Sequence, residues 1–130
     1  MSYFEAQPAW QAGDGVVGTL AGADNARTVP DIAMDADPNT GANVYIDGTP
    51  TGIGGTSLSS PLALGVWARI ESAHKNAVPF ASPLLYKAGG SAAFHDITLG
   101  DTGPYPATPG YDLATGWGTF DVAKADQIIR

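Results

Sequence analysis

Ser57 stands in the stretch Gly54-Gly55-Thr56-Ser57-Leu58-Ser59-Ser60-Pro61, which runs straight into the apolar Leu62-Ala63-Leu64-Gly65-Val66-Trp67-Ala68. Glycines let a chain turn sharply and let another backbone come close. A helix starting just behind the serine places free N–H groups and partial positive charge beside the hydroxyl, where an oxyanion would form. That is the setting of a nucleophile for acyl transfer. The same residues also read as an ordinary helix start, with Ser60 as N-cap and Pro61 at the first helical position. A serine nucleophile further needs a base. His74 lies 17 residues along the same predicted helix, about 25 Å from Ser57, which is too far. Glu71 is 14 positions on, about 21 Å away, and Glu5 is followed four residues later by Ala9 rather than an aspartate. His95, directly before Asp96, could complete a triad with another aspartate, or be a half-buried loop residue. The chain thus offers a nucleophile without an evident base.

A second constellation joins Asp96-Ile97 to Thr108-Pro109-Gly110-Tyr111-Asp112. Hard cations such as Ca²⁺ take six to eight oxygens from carboxylates, carbonyls and water. Two aspartates framing a glycine-containing loop can supply them. A solvated loop with aspartates at its turns is the alternative.

The elements that must position these residues are few. The nucleophile helix is predicted over about 57–73, apolar on nearly every side and therefore expected to be buried. Val29–Ala36 has short β potential, and Asn43–Ile46 reads as a strand closed by the Asp47-Gly48 turn. Ser82–Gly89 has a cap, a proline and a glycine stop, and Asp121–Ile129 makes a last helix. Between them, the Gly/Pro/Asp-rich loop over about 94–119 is too long to persist in a compact domain unless something orders it.

At 130 residues the chain (1–130) is sized for one domain, and its 17 Gly and 10 Pro call for many loops. The net charge of −7 and six scattered basic residues argue against nucleic acid as a partner. Without cysteine there are no disulfides or thiolate metal sites, and no apolar run approaches a membrane span. Met1–Gln11 lacks the basic start and apolar core of a signal peptide, so any secretion signal would have to lie upstream.

Together these pieces resemble the sedolisin family of serine-carboxyl peptidases along nearly the whole chain. Tyr3-Phe4 with Pro8-Ala9-Trp10-Gln11 resembles the family's opening segment, and Arg27-Thr28-Val29-Pro30-Asp31 with Asp35-Ala36-Asp37-Pro38 the next. Gly55-Thr56-Ser57 with Pro61 matches the nucleophile signature Gly-Thr-Ser-x-x-x-Pro, which subtilisins share. Phe94-His95-Asp96-Ile97-Thr98, Gly110-Tyr111-Asp112 and Thr115-Gly116-Trp117-Gly118 match the C-terminal calcium region and decide between the two.

The resemblance implies an α/β, subtilisin-like fold with a mostly parallel sheet and flanking helices, of which this chain would be the C-terminal portion. It implies Ser57 as nucleophile, with its N–H contributing to the oxyanion hole. One Ca²⁺ would be held by the Asp96 and Asp112 carboxylates and the carbonyls of Ile97, Gly110 and Thr108, the last a position where many relatives have glycine. The implied enzyme is a secreted endopeptidase that cuts polypeptides at acidic pH. Its Glu-x-x-x-Asp base pair and oxyanion aspartate would lie in a missing N-terminal part, so the isolated chain is expected to be inactive. Two alternatives are a non-catalytic calcium-binding or interaction remnant of the fold, and a subtilisin-type hydrolase using His95.

Overall fold

The computed structural model describes residues 2, 4–12 and 26–130. A 3-10 turn at Ala9–Gln11 is followed by the strands β1 (Ala42–Ile46) and β2 (Thr49–Ile53), then by the helices α1 (Thr56–Ala73) and α2 (Ala81–Ala88). The short strands β3 (Phe94–His95) and β4 (Thr119–Phe120) enclose the long loop, and α3 (Val122–Ile128) closes the chain. Residues 13–25, whose Gly, Ala and Asp content predicts an irregular course, lie outside the described residues.

The β1–β2 hairpin forms where the Asp-Gly signal placed a turn. Asp47 (φ 50°) and Gly48 (φ 77°) both take the positive φ that a tight two-residue hairpin turn demands, and Ile46 pairs with Thr49. β2, which no sequence expectation named, contains Pro50. That proline lies opposite Tyr45, one step from the turn, and a two-stranded hairpin has only edge strands to accommodate it.

α1 starts five residues before the Ser60/Pro61 cap would have it. Its N-cap is Gly55, at φ 81° and ψ 175°, and Pro61 sits inside the helix. The expectation that α1 is buried nearly all round does not hold within these residues. Leu58 and Ile70 are buried, but Leu64 is 67% exposed and Leu62 is also open to solvent. Its apolar surface exceeds what α2, α3 and the loops of this chain cover.

The core lies at the other end of α1. Ile70 packs with Leu85, Tyr86 and Ala88 of α2, with Phe94 and Phe120 of β3 and β4, with Ala125 of α3, and with Ile129. Tyr111 and Trp117 from the long loop complete it, their rings 5.5 Å apart and each near Tyr86. The indole of Trp117 lies so close over Gly89 that a Cβ there would overlap the ring. Gly89→Ala is therefore expected to cost about 2 kcal/mol in urea unfolding, the usual penalty of overpacking a filled core.

A mostly parallel sheet is not what the described residues form: both strand pairs, β1–β2 and β3–β4, are antiparallel. The reason is connectivity, since β1 and β2 are joined by two residues, whereas parallel neighbours need a long crossover. Val29–Ala36, with its β potential, joins no named strand. Two hydrogen bonds, from Trp117 N to the Asp31 carbonyl and from Ala33 N to the Gly118 carbonyl (3.0 Å each), link it to the end of the long loop. Both segments run in the same direction there, so this contact has a parallel sense without extending into a ladder.

α3 begins as its sequence proposed. The Asp121 carboxylate accepts from Lys124 N at 3.1 Å and lies 2.9 Å from its Nζ. The Lys124 side chain and backbone hold the Asp121 carboxyl below the usual carboxylate range. A depressed carboxyl contributes stability in full above its unfolded-state pKa and loses it as pH falls through the lower folded one. Asp121→Asn keeps a capping oxygen but cannot titrate. Below about pH 4 the native chain is thus expected to lose more of its urea resistance than this variant. Parallel losses would exclude Asp121 as a source of acid sensitivity.

Candidate functional site

The turn that carries Ser57 is built from backbone. Gly55 N donates to the Ala36 carbonyl (2.6 Å), and the Gly55 carbonyl accepts from Leu58 N (2.9 Å) and Ser59 N (3.2 Å), the first bonds of α1. Thr56 and Ser57 occupy the first two helical positions, whose N–H groups have no acceptor within the helix itself. Ser57 is exposed. Pro61, four residues on, has no N–H, so the Ser57 carbonyl goes without the helical bond it would otherwise accept. An accessible hydroxyl beside a free N–H at a helix start suits attack on a carbonyl and stabilisation of the resulting oxyanion.

No described hydrogen bond joins the Ser57 hydroxyl to a base. Glu71 and His74 stand at the far end of α1, where His74 Nε2 lies 2.9 Å from the Asp126 carbonyl. His95, on β3, faces Asp121 of the β4–α3 connection at 3.9 Å. That contact belongs to the C-terminal corner, and no described hydrogen bond joins His95 to Ser57.

The loop residues named as metal ligands are partly brought together. Gly110 N donates to Asp96 Oδ2 (2.8 Å), so β3 and the 108–112 turn are tied at that carboxylate. Asp112 is 2% exposed and gathers the loop around itself. Its Oδ1 accepts from Ala114 N (2.9 Å), Thr115 N (2.7 Å) and Thr115 Oγ1 (3.1 Å), and its Oδ2 from Thr108 N (2.8 Å). Ile97 is half-buried next to Asp96, and Thr108 is exposed. Among the described residues, no cluster of three or more His, Cys, Asp or Glu side chains could hold a metal. A cation here would therefore rely on two carboxylates and on backbone oxygens.

The structure also brings together polar residues to which sequence reasoning gave no role. Gln11 is fully buried and donates to the Tyr86 hydroxyl (2.6 Å) and the Thr28 carbonyl (2.9 Å), while its Oε1 accepts from Thr28 N (2.9 Å). Tyr86 in turn donates its hydroxyl to Asp31 Oδ1 (2.8 Å), and Asp31 also accepts two bonds from Arg27 (2.8 and 2.7 Å). Tyr111 donates to the Pro30 carbonyl (2.9 Å), which leaves its oxygen to accept from Thr28 Oγ1 (3.1 Å). Burial pushes both tyrosine hydroxyls up, so they remain protonated donors. Arg27 stacks over the Trp10 ring, 5.0 Å from its centroid. Gln11, Arg27 and Asp31 set among aromatic residues were the available signal, for buried polar groups need partners.

Superposition on solved structures gives the class. The chain matches that of "Pseudomonas sedolisin (serine-carboxyl proteinase) complexed with two molecules of pseudo-iodotyrostatin" at a TM-score of 0.85 and 38% identity, covering 99% of this chain and 35% of that one. The fold is thus that of a subtilisin-like serine-carboxyl proteinase. Sequence relatives agree: sedolisin of Pseudomonas sp. (strain 101) is 39% identical over 135 residues, and xanthomonalisin of Xanthomonas sp. (strain T-22) 39% over 136. Kumamolisin of Bacillus sp. (strain MN-32) is 41% identical over 119 residues. The chain belongs to the sedolisin family, and it matches the C-terminal part of those proteins. It covers 99%, 100% and 86% of itself in these three alignments, but only 22%, 16% and 21% of the relatives' lengths. No protein-family model matches it.

Proposed function

We propose that this chain supplies the nucleophile and the calcium loop of a serine-carboxyl endopeptidase that hydrolyses polypeptides at acidic pH outside the cell. The observation that carries the reading is Ser57 itself, exposed at the start of α1 with an adjacent N–H and the family's signature around it. In this reading Ser57 Oγ attacks the scissile carbonyl carbon, and its proton passes to a glutamate base and then to the leaving amine. The Ser57 N–H donates to the developing oxyanion. The glutamate, the aspartate that orients it and the oxyanion aspartate come from a segment outside these 130 residues. Carboxylates suit acid conditions, where a histidine base would be protonated. The exposed Leu62 and Leu64 of α1, with Tyr45 and Ile46 of the hairpin, support this reading as surface for that segment to cover.

The loop fits a hard cation by its donor set. Asp112 is a buried carboxylate with no cationic side chain within ion-pair distance among the described residues, and Asp96 has an oxygen free of described hydrogen bonds. Asp96, Asp112 and the carbonyls of Ile97, Gly110 and Thr108 would hold one Ca²⁺, which would neutralise the two carboxylates and fix the loop. Calorimetric titration of the purified chain is expected to show Ca²⁺ binding. Asp96→Asn should weaken it about tenfold or more, since ligand charge sets the affinity of such sites. Equal affinity in the variant would remove Asp96 from the ligand set.

The function is tested by combining the chain with the N-terminal remainder of a sedolisin-family domain and following peptide cleavage from about pH 3 to pH 8. Cleavage confined to the acid side supports the carboxylate reading. A rate that rises through the histidine range would favour His95 instead. Calcium binding without turnover at any pH would leave the non-catalytic remnant.

A further inference from the structure

We propose that the segment Asp31–Ala36 is the positioning element of Ser57, tying the start of α1 to the far loop so that order in the loop sets the placement of the serine. The catalytic meaning of this coupling rests on the reading of Ser57 as nucleophile.

Each end of the segment is fastened to one of the two sites. At its beginning, Trp117 N donates to the Asp31 carbonyl and Ala33 N to the Gly118 carbonyl, both at 3.0 Å. At its end, Gly55 N donates to the Ala36 carbonyl at 2.6 Å, and Ser59 Oγ to the Met34 carbonyl at 3.3 Å. Glycines seal both ends. A Cβ on Gly116 would overlap the Asp31 carbonyl, and one on Gly54 would overlap the Pro38 backbone and crowd the Ala36 carbonyl. With both ends fastened, a segment of six residues leaves few bonds over which a displacement could be spread. A shift at Trp117–Gly118 is therefore delivered to Gly55 rather than absorbed.

Gly55 is the point at which that shift reaches Ser57. α1 has no side-chain N-cap, and the Gly55 carbonyl receives the helix's first two bonds. The bond to Ala36 thus orients the turn that carries the Ser57 N–H and hydroxyl. At the loop end, Asp112 organises the backbone from Thr108 to Thr115, and the Asp112 and Gly116 backbones pair with each other at 3.2 and 3.0 Å. The ordered loop is continuous from that carboxylate to the segment's first hydrogen bond.

Amide hydrogen exchange on the full chain tests this. Gly116→Ala forces a Cβ against the segment, whereas Gly103→Ala places one at a comparable positive φ (90°) with nothing within 4 Å. Relative to the Ala125 amide of α3, the Gly55 amide is expected to exchange about tenfold faster in Gly116→Ala and to stay unchanged in Gly103→Ala. Ser59→Ala, a mild change, should quicken exchange at Gly55 several-fold and, because such coupling is reciprocal, at Trp117 N–H to a smaller degree. The proposal is overturned if Gly55 and Ala125 change together in Gly116→Ala, global unfolding included, or if Ser59→Ala leaves Gly55 untouched. Exchange is read without catalysis, so an inert Ser57 would defeat the proposed function and leave this result standing.

Discussion

Ser57→Ala is expected to reduce peptide cleavage by the assembled domain at least about a thousandfold while changing its stability by no more than about 0.5 kcal/mol. The two halves of this expectation have separate causes. Only the serine Oγ can form the acyl bond, so its loss removes the covalent route rather than weakening it. The side chain is exposed and joins no described hydrogen bond, so the fold does not depend on it. Substrate binding should persist, because the variant keeps the backbone N–H and the cleft. Ser60→Ala, three residues along the same exposed helix start, is the control and should retain its rate. A surviving rate in Ser57→Ala, measured in single-turnover assays at acid pH, would remove the serine from the mechanism.

The second large effect is one of stability. Asp31→Ala should lower the urea midpoint by the equivalent of about 3 kcal/mol with an unchanged slope. Asp31 takes two hydrogen bonds from Arg27 and one from Tyr86, and only about a fifth of its side chain is exposed. Its removal leaves a largely covered guanidinium without its carboxylate and a buried phenol without its acceptor. Tyr86→Phe deletes one limb of the same network and should cost about 1 kcal/mol. Equal losses in the two variants would show that the Arg27 pair adds nothing.

What could be read from the sequence follows the range of the forces involved. The hairpin turn at Asp47-Gly48, the body of α1 and the Asp121 cap are local decisions, made by residues within four positions of one another. The span of about 57–73 matches α1 within one residue, but its cap was not legible, because it is Gly55, whose acceptor is Ala36, a partner 19 residues away. The exposure of Leu62 and Leu64 could not be read either, since apolar patterning says that a face wants covering but not which polypeptide covers it. For the site, residue type and spacing proposed Ser57 and the two aspartates as candidates beside ordinary readings of a helix start and a solvated loop, and the family resemblance made the choice. The backbone donors that bind Asp112 were not, because every residue but proline carries the same N–H. The Gln11–Tyr86–Asp31 network stayed hidden for a related reason: its members lie far apart in the chain, and each alone is an ordinary polar residue.

That network also has a temporal side. Gln11 finds Tyr86 75 residues later, and Thr28 finds Tyr111 83 residues later. Contacts of such separation cannot form until the intervening chain exists and closes a large loop. During synthesis Gln11 can meet Thr28, and Arg27 can meet Asp31, while the bonds from Gln11 to Tyr86 and from Thr28 to Tyr111 must wait until most of this sequence has emerged. The hairpin and α1 can form meanwhile from local contacts, whereas the contacts around Tyr86 and Tyr111 become possible only afterwards. Truncations from the C-terminal side that remove Tyr111 should thus undo the N-terminal end first.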